Sequence, residues 1–197
     1  HFDNWMRCKP VDIGNTVRRG LLNFRTSGET VVPPNEHDAG NGACMRTLPI
    51  ALATLGKSEQ EVMLAVQAQA HITHNNPLSD AGTYCVVRMV QLALQGATMA
   101  SLRHGPVHHL LTAHPTFVFR RRRRAENPSG FIVHTLRAVF ESFFDTDNFE
   151  ECLVETVNRG GDADTTGAIA GMITGAYYGL EGIPSRWLKK LDAETAR

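Results

Sequence analysis

Residues 161–179 read Gly161-Asp162-Ala163-Asp164-Thr165-Thr166-Gly167-Ala168-Ile169-Ala170-Gly171-Met172-Ile173-Thr174-Gly175-Ala176-Tyr177-Tyr178-Gly179. No charged residue follows Asp164 until Glu181. Gly167, Gly171, Gly175 and Gly179 recur every fourth residue, which sets them on one face of a helix. Each glycine costs a helix about 1 kcal/mol against alanine. Such a face implies close approach, either by a neighbouring helix or by a ligand. The stretch is short for a bilayer span and carries threonines and tyrosines, so it reads as a buried helix. At its start, two carboxylates and two hydroxyls sit where loop becomes helix, after Gly160 and Gly161. Asp and Thr oxygens are hard ligands suited to Mg²⁺, Mn²⁺ or Ca²⁺. Asp162 or Asp164 can equally cap the helix and favour its dipole. Spacing leaves both readings open.

Working outward, apolar residues recur with helical rather than strand period, and no segment alternates convincingly. Helices are expected over residues 12–24, 43–55 (with Pro49 a kink or break), 59–72 (capped by Ser58) and 78–94. A weaker helix over 99–111 is interrupted by Gly105-Pro106. Residues 113–130 read as a loop, 131–144 and 149–158 as helices, and a last helix runs from Pro184 to Leu191. Residues 2–8 read as the tail of an amphipathic helix, so the chain is expected to begin inside a domain. The expected architecture is all-α, one compact multi-helix domain over residues 1–197, with no internal repeat or linker.

Of the 197 residues, 42% are hydrophobic and 20% charged, ordinary for a globular domain. A formal net charge of zero gives no global drive toward nucleic acid or an anionic membrane. The run Arg120 to Arg124 can contact phosphates, but no base-reading module accompanies it. A solvated loop is the expectation, with contact to a protein partner second. Cys8, Cys44, Cys85 and Cys152 form no C-x-x-C pair, which favours a reduced, cytoplasmic protein over a disulfide framework. No signal peptide and no transmembrane segment are expected.

Two glycine-bearing segments are further candidates. Asp38-Ala39-Gly40-Asn41-Gly42 precedes the helix from residue 43, where backbone N–H groups can cradle a phosphate. Its spacing matches neither a P-loop nor a dinucleotide fingerprint, and a plain turn also explains it. Asp12-Ile13-Gly14-Asn15-Thr16 sets an acid and an amide beside a glycine at a helix start, which capping explains as well as chemistry does. His71-x-x-His74 and His104-x-x-x-His108 have helix-face spacing, yet neither brings the three or four ligands that zinc needs. His74 lies in a turn with Asn75 and Asn76, where a substrate contact fits.

These blocks resemble the ADP-ribosylglycohydrolase family. Gly161 to Gly167 resembles its C-terminal metal motif. Residues 10–16, 38–46, 72–80 and 156–179 follow in the same order as in one branch, the dinitrogenase reductase-activating glycohydrolases. The resemblance implies an all-α hydrolase with a cleft and two Mg²⁺ or Mn²⁺ ions. It implies removal of ADP-ribose from a modified arginine of a partner protein, the nitrogenase iron protein, in the context of nitrogen fixation. By the same resemblance Asp162, Asp164 and Thr165 would ligate metal. Asp12 would be the catalytic acid/base or orienting group, and Gly14 and Asn15 would line the ribose site. Gly40, Asn41 and Gly42 would hold the diphosphate, His74 would touch the ligand, and Phe131 would stack on adenine. For Phe131 a place in the helix core is the competing role. The metal pair would position and acidify a water while an acid assists departure of the guanidine nitrogen. The protein is expected to be monomeric and not to bind nucleic acid. One departure stands out: no Thr-Asp-Asp-Thr segment, the family's other metal half, occurs toward the N-terminus. The chain is therefore expected to be N-terminally truncated, with half the metal ligands absent and little hydrolysis by itself. The alternatives are an ADP-ribose-binding module that is catalytically impaired and an inactive fragment.

Overall fold

The computed structural model describes residues 1–119 and 123–192. The chain runs through α1 (Phe2–Arg7), α2 (Asn15–Ser27), α3 (Gly42–Met45), α4 (Leu48–Ala53), α5 (Glu59–Ala70) and α6 (Pro77–Leu94). It continues through α7 (Met99–Leu102), α8 (His108–Ala113), α9 (Ile132–Asp145), α10 (Phe149–Val157), α11 (Ala163–Tyr178) and α12 (Ser185–Leu188). The fold is all-α. Among the described residues the sole β feature is an isolated bridge between Gly40 and Phe131. No described helix is long and apolar enough to cross a membrane.

The centre is α6 against α9 and α11. Helix α6 starts sharply because the Asn76 side chain accepts from the N–H groups of Leu78 and Ser79, and Pro77 follows where its missing N–H costs nothing. It buries Val86, Val87, Met89 and Val90, which point in different directions around its axis, as a helix enclosed on several sides must. At Gly82 an added Cβ would lie 2.8 Å from Ile132 and 2.9 Å from Leu136, so this glycine sets the approach of α6 to α9. Phe140 and Phe143 of α9 and Ile169 and Ile173 of α11 are fully buried in the same core. The α11 glycines face α10: Gly167 meets Val157, Gly171 meets Leu153, and Gly175 meets Phe149. Only the Gly167 contact, 3.1 Å from an added Cβ, is tight. Gly179 ends the helix at φ +70°. The stripe is thus a helix–helix seam.

Local chemistry moved several boundaries. The expected helix over 43–55 is two short helices that part at Arg46 and Thr47, and Pro49 sits in the first turn of α4, where it breaks no hydrogen bond. Gly105-Pro106 does not stop its helix. The turns over Arg103–Val107 widen to π-type and pass directly into α8, since the wider ring accommodates the absent proline N–H. The final helix shrinks to Ser185–Leu188. Ser58 caps α5 as expected, in a reciprocal capping box with Glu61.

Arg120, Arg121 and Arg122 lie outside the described residues. Arg124 pairs with Glu155 at 2.8 Å and Glu126 at 3.0 Å, and the Arg123 carbonyl accepts from Arg137. Beneath them Arg159 and Glu141 form a buried pair at 2.6 Å. Glu141 also accepts from Arg137 at 2.9 Å and from the Ala125 N–H at 2.9 Å. Burial opposes its ionisation, but the Ala125 N–H and the two arginines outweigh that and hold its carboxyl below the ordinary value. All four cysteines are free, and burial pushes the Cys44 thiol up to about 12. Replacing one partner of the buried pair strands the other. Arg159→Met is expected to cost about 3 kcal/mol, read as a fall in the urea midpoint at unchanged slope.

Candidate active site

The start of α11 is fixed by the turn before it. Gly160 and Gly161 adopt φ +74° and +62°. An added Cβ at Gly161 would fall 2.3 Å from the Pro128 carbonyl oxygen, so the position admits only glycine. The next residue, Asp162, donates its N–H to that same oxygen at 2.8 Å. Its carboxylate does not cap α11; Oδ2 instead accepts from Asn41 Nδ2 at 2.6 Å. Asp164 lies exposed in the first turn, and Thr165 is buried with its hydroxyl 3.8 Å from the Met45 sulfur. For Asp162, then, the capping explanation fails, and its carboxylate turns toward the loop at 38–42.

That loop is tied down from Asp38 to Asn41. Ala39 accepts from the Ile132 N–H at 2.9 Å, and the Asn41 N–H donates to Gly130 at 2.9 Å. The Ser79 hydroxyl donates to the Gly40 carbonyl at 3.1 Å. Asn41 Nδ2 also donates to the Thr135 hydroxyl at 2.9 Å. Asp38, buried, accepts from Arg19 and from Thr16, which joins the loop to α2. The expected phosphate cradle is altered by this: the Asn41 N–H is already engaged, and α3 is one turn long with a correspondingly small dipole.

The His74 ring lies against Gly40 and Gly42, where added Cβ atoms would sit 3.0 Å and 2.8 Å from it. It is 3% exposed, and its Nδ1 is 2.7 Å from the Thr73 hydroxyl. Burial, with the charges of Arg46 and Arg19, lowers its pKa from 6.5 to about 4. Arg46 is itself held by Gln69, donates to Thr73 at 2.8 Å and lies 4.9 Å over the Phe2 ring. Burial lowers Arg46 to about 10, which leaves it charged at neutral pH.

Gly40, Gly130 and Phe131 line a cleft of about 440 Å³ together with Thr16, Glu36 and His37. Phe131 meets the edge of His134 at 5.2 Å and also packs on the core, as its competing role expects. Asp12, Gly14 and Asn15 are exposed and sit just before Thr16 on the approach to this cleft. Asp12 makes no hydrogen bond among the described residues. A separate groove of about 310 Å³, lined by Tyr84, Leu92 and Pro106 among others, shares no residue with the cleft.

The histidine pairs do not converge. His71 binds Asp80 at 2.8 Å while His74 turns to the glycine loop. Among the described residues no group of three or more His, Cys, Asp or Glu is placed to hold a metal. Asp162, Asp164 and Thr165 suit a hard cation in donor type and fall short of a closed set in number. No local pattern announces Thr135, Gly130 or Thr73 as site residues, because their partners are fixed only by folding.

The family model described as ADP-ribosylglycohydrolase matches residues 1–197. The ADP-ribosyl-[dinitrogen reductase] glycohydrolase of Rhodospirillum rubrum is 47% identical over 100% of this chain and 65% of its own length. The ADP-ribosylarginine hydrolase Tri1 of Serratia proteamaculans is 30% identical over 97% of this chain and 53% of its own length. The chain thus spans between about half and two thirds of these relatives. A solved structure titled ADP-ribosylglycohydrolase-related protein complex superposes with TM-score 0.80 at 31% identity, covering 98% of this chain and 67% of that one.

Two outcomes follow from the geometry. Gly161→Ala is expected to destabilise the fold by about 3 kcal/mol, seen in urea unfolding, because φ and the Pro128 carbonyl both resist a Cβ. His74 has a folded pKa below its unfolded one. Its contribution is therefore complete above pH 6.5 and is lost as pH falls through about 4. That loss amounts to about 3 kcal/mol, and His74→Gln should flatten the stability–pH curve in that window.

Proposed function

The chain belongs to the ADP-ribosylglycohydrolase family, and on that premise we propose that it forms the ADP-ribose-binding part of a hydrolase. The reaction is removal of ADP-ribose from a modified arginine of a target protein, with the nitrogenase iron protein as the target. The observation that carries the reading is the 2.6 Å hydrogen bond from Asn41 to Asp162, which joins the glycine loop to the acidic helix start beside the cleft. A cytoplasmic, monomeric protein in nitrogen fixation belongs to the same reading.

Asp162, Asp164 and Thr165 would hold Mg²⁺ or Mn²⁺. When bound, the metal supplies charge stabilisation to ribose oxygens and acidity to an attacking water. Asn41 engages Asp162 through Oδ2 alone and leaves Oδ1 for a cation. Gly40 and Gly42 keep the loop thin, so a diphosphate can approach its backbone beside His74. Phe131 offers a ring face to adenine at the cleft wall. Asp12, exposed ahead of α2, is free to assist departure of the guanidine nitrogen.

A second reading is ADP-ribose binding without turnover. The ligand count favours it, since the described residues close no metal site. Calorimetry with ADP-ribose should show binding that Gly42→Ala weakens about tenfold, as its Cβ displaces the His74 ring. Incubation with ADP-ribosyl-arginine and Mn²⁺ separates the two readings. Turnover that Asp164→Ala lowers about 100-fold establishes the hydrolase, binding without turnover leaves the reader, and no binding sinks both.

A further inference from the structure

Arg46, Thr73 and His74 form a linear relay that ends at the glycine loop. The Arg46 guanidinium only donates, so the Thr73 hydroxyl oxygen accepts from it at 2.8 Å. Thr73 is 1% exposed, and the other hydrogen-bond partner of its hydroxyl among the described residues is His74 Nδ1 at 2.7 Å. If Nδ1 carried the ring proton, the Thr73 proton would be buried without an acceptor. If Nδ1 accepts, the Arg46 Nη2–H, the Thr73 hydroxyl and Nδ1 are all satisfied and the ring proton sits on Nε2. Nε2 makes no hydrogen bond among the described residues. It lies at the loop, 3.0 Å and 3.1 Å from where Cβ atoms of Gly40 and Gly42 would be.

The end of the relay at Arg46 is immobilised. Gln69 accepts from its Nε and, through the main-chain carbonyl, from Nη2, both at 3.0 Å. The Gln69 amide donates to the Ala43 carbonyl at 3.1 Å, which anchors the relay to the helix that follows the loop. From the other side α2 presses on Thr73, where an added Cβ at Gly20 would lie 3.0 Å from the Thr73 Cα. Thr73 therefore has little freedom to turn its hydroxyl elsewhere.

We propose that Arg46 and Thr73 are positioning residues that lock His74 as the neutral Nε2–H tautomer, making it a fixed hydrogen-bond donor to an anionic or hydroxyl oxygen of a ligand on the Gly40–Gly42 loop. The ligand part rests on the ADP-ribose reading above; the tautomer part does not. The imidazole acts as a donor and not as a base. Burial first, and then the charges of Arg46 and Arg19, disfavour a second proton and lower its pKa. An imidazolium would place a full charge against the loop, whereas the neutral ring offers direction without charge.

The test is a long-range proton–nitrogen correlation spectrum of the histidine rings in the full chain, with the His74 signal assigned through His74→Gln. The expected result is a neutral Nε2–H ring at pH 7 that does not titrate down to pH 5.5. In Thr73→Val the ring should shift toward the Nδ1–H form or a mixture, and Thr73→Ser should restore it. ADP-ribose affinity by calorimetry should fall about tenfold in Thr73→Val and recover in Thr73→Ser. A charged or Nδ1–H ring in the unaltered protein overturns the proposal, and that spectrum decides even if Thr73→Val does not fold. A folded Thr73→Val with a shifted tautomer and unchanged affinity also overturns it. Absence of ADP-ribose binding by the unaltered protein would instead overturn the functional reading, while the spectrum still decides the tautomer.

Discussion

The amide of Asn41 and the carboxylate of Asp162, 121 residues apart, share a hydrogen bond on which the geometry of the cleft depends. It is charge-assisted and partly buried, a setting in which such a bond contributes about 2 kcal/mol. Its direction matters as much as its strength. By drawing the Asp162 side chain off the helix axis it stops that residue from acting as a cap. It also orients Asn41 so that the same amide reaches Thr135 on α9. Loop, acidic turn and α9 are thereby set in one register. Each end has a separate backbone tether, Asn41 to Gly130 and Asp162 to Pro128, both within one short segment.

That segment owes its position to the Glu141–Arg159 pair below it. Arg159 donates to the Ala125 carbonyl and Glu141 accepts from the Ala125 N–H, so one residue of the loop is gripped from both sides. A buried ion pair is weak evidence of stability, because desolvation offsets much of its attraction. Here its effect is placement. Arg124, the last arginine of the basic run, joins the same network through Glu155 and Glu126.

Helical periodicity was enough to identify the helix cores, because apolar residues on one face announce burial wherever the partner lies. The caps at Ser58 and Asn76 were equally local. Pro49 and Pro106 depart from the helix-breaking expectation for a common reason: proline is harmless at a first turn and tolerable in a widened one, and only the surrounding packing decides which occurs. The acidic turn was visible as composition, but its orientation was not, since a carboxylate before a helix looks the same whether it caps or turns away. Thr135 and Gly130 carry no signal at all, being ordinary residues that long-range folding brings to Asn41.

The contact of His74 with Gly40 and Gly42 bears on how this protein can change over generations. A methyl at either glycine meets the ring at 2.8–3.0 Å, so neither position can grow while the imidazole stays. A smaller residue at 74 would make room for the methyl and remove the ring that fills the space. The three sites are therefore bound by sign-dependent epistasis. A substitution harmful alone becomes tolerable only after another that is also harmful alone, and the set is expected to be inherited or abandoned as a block.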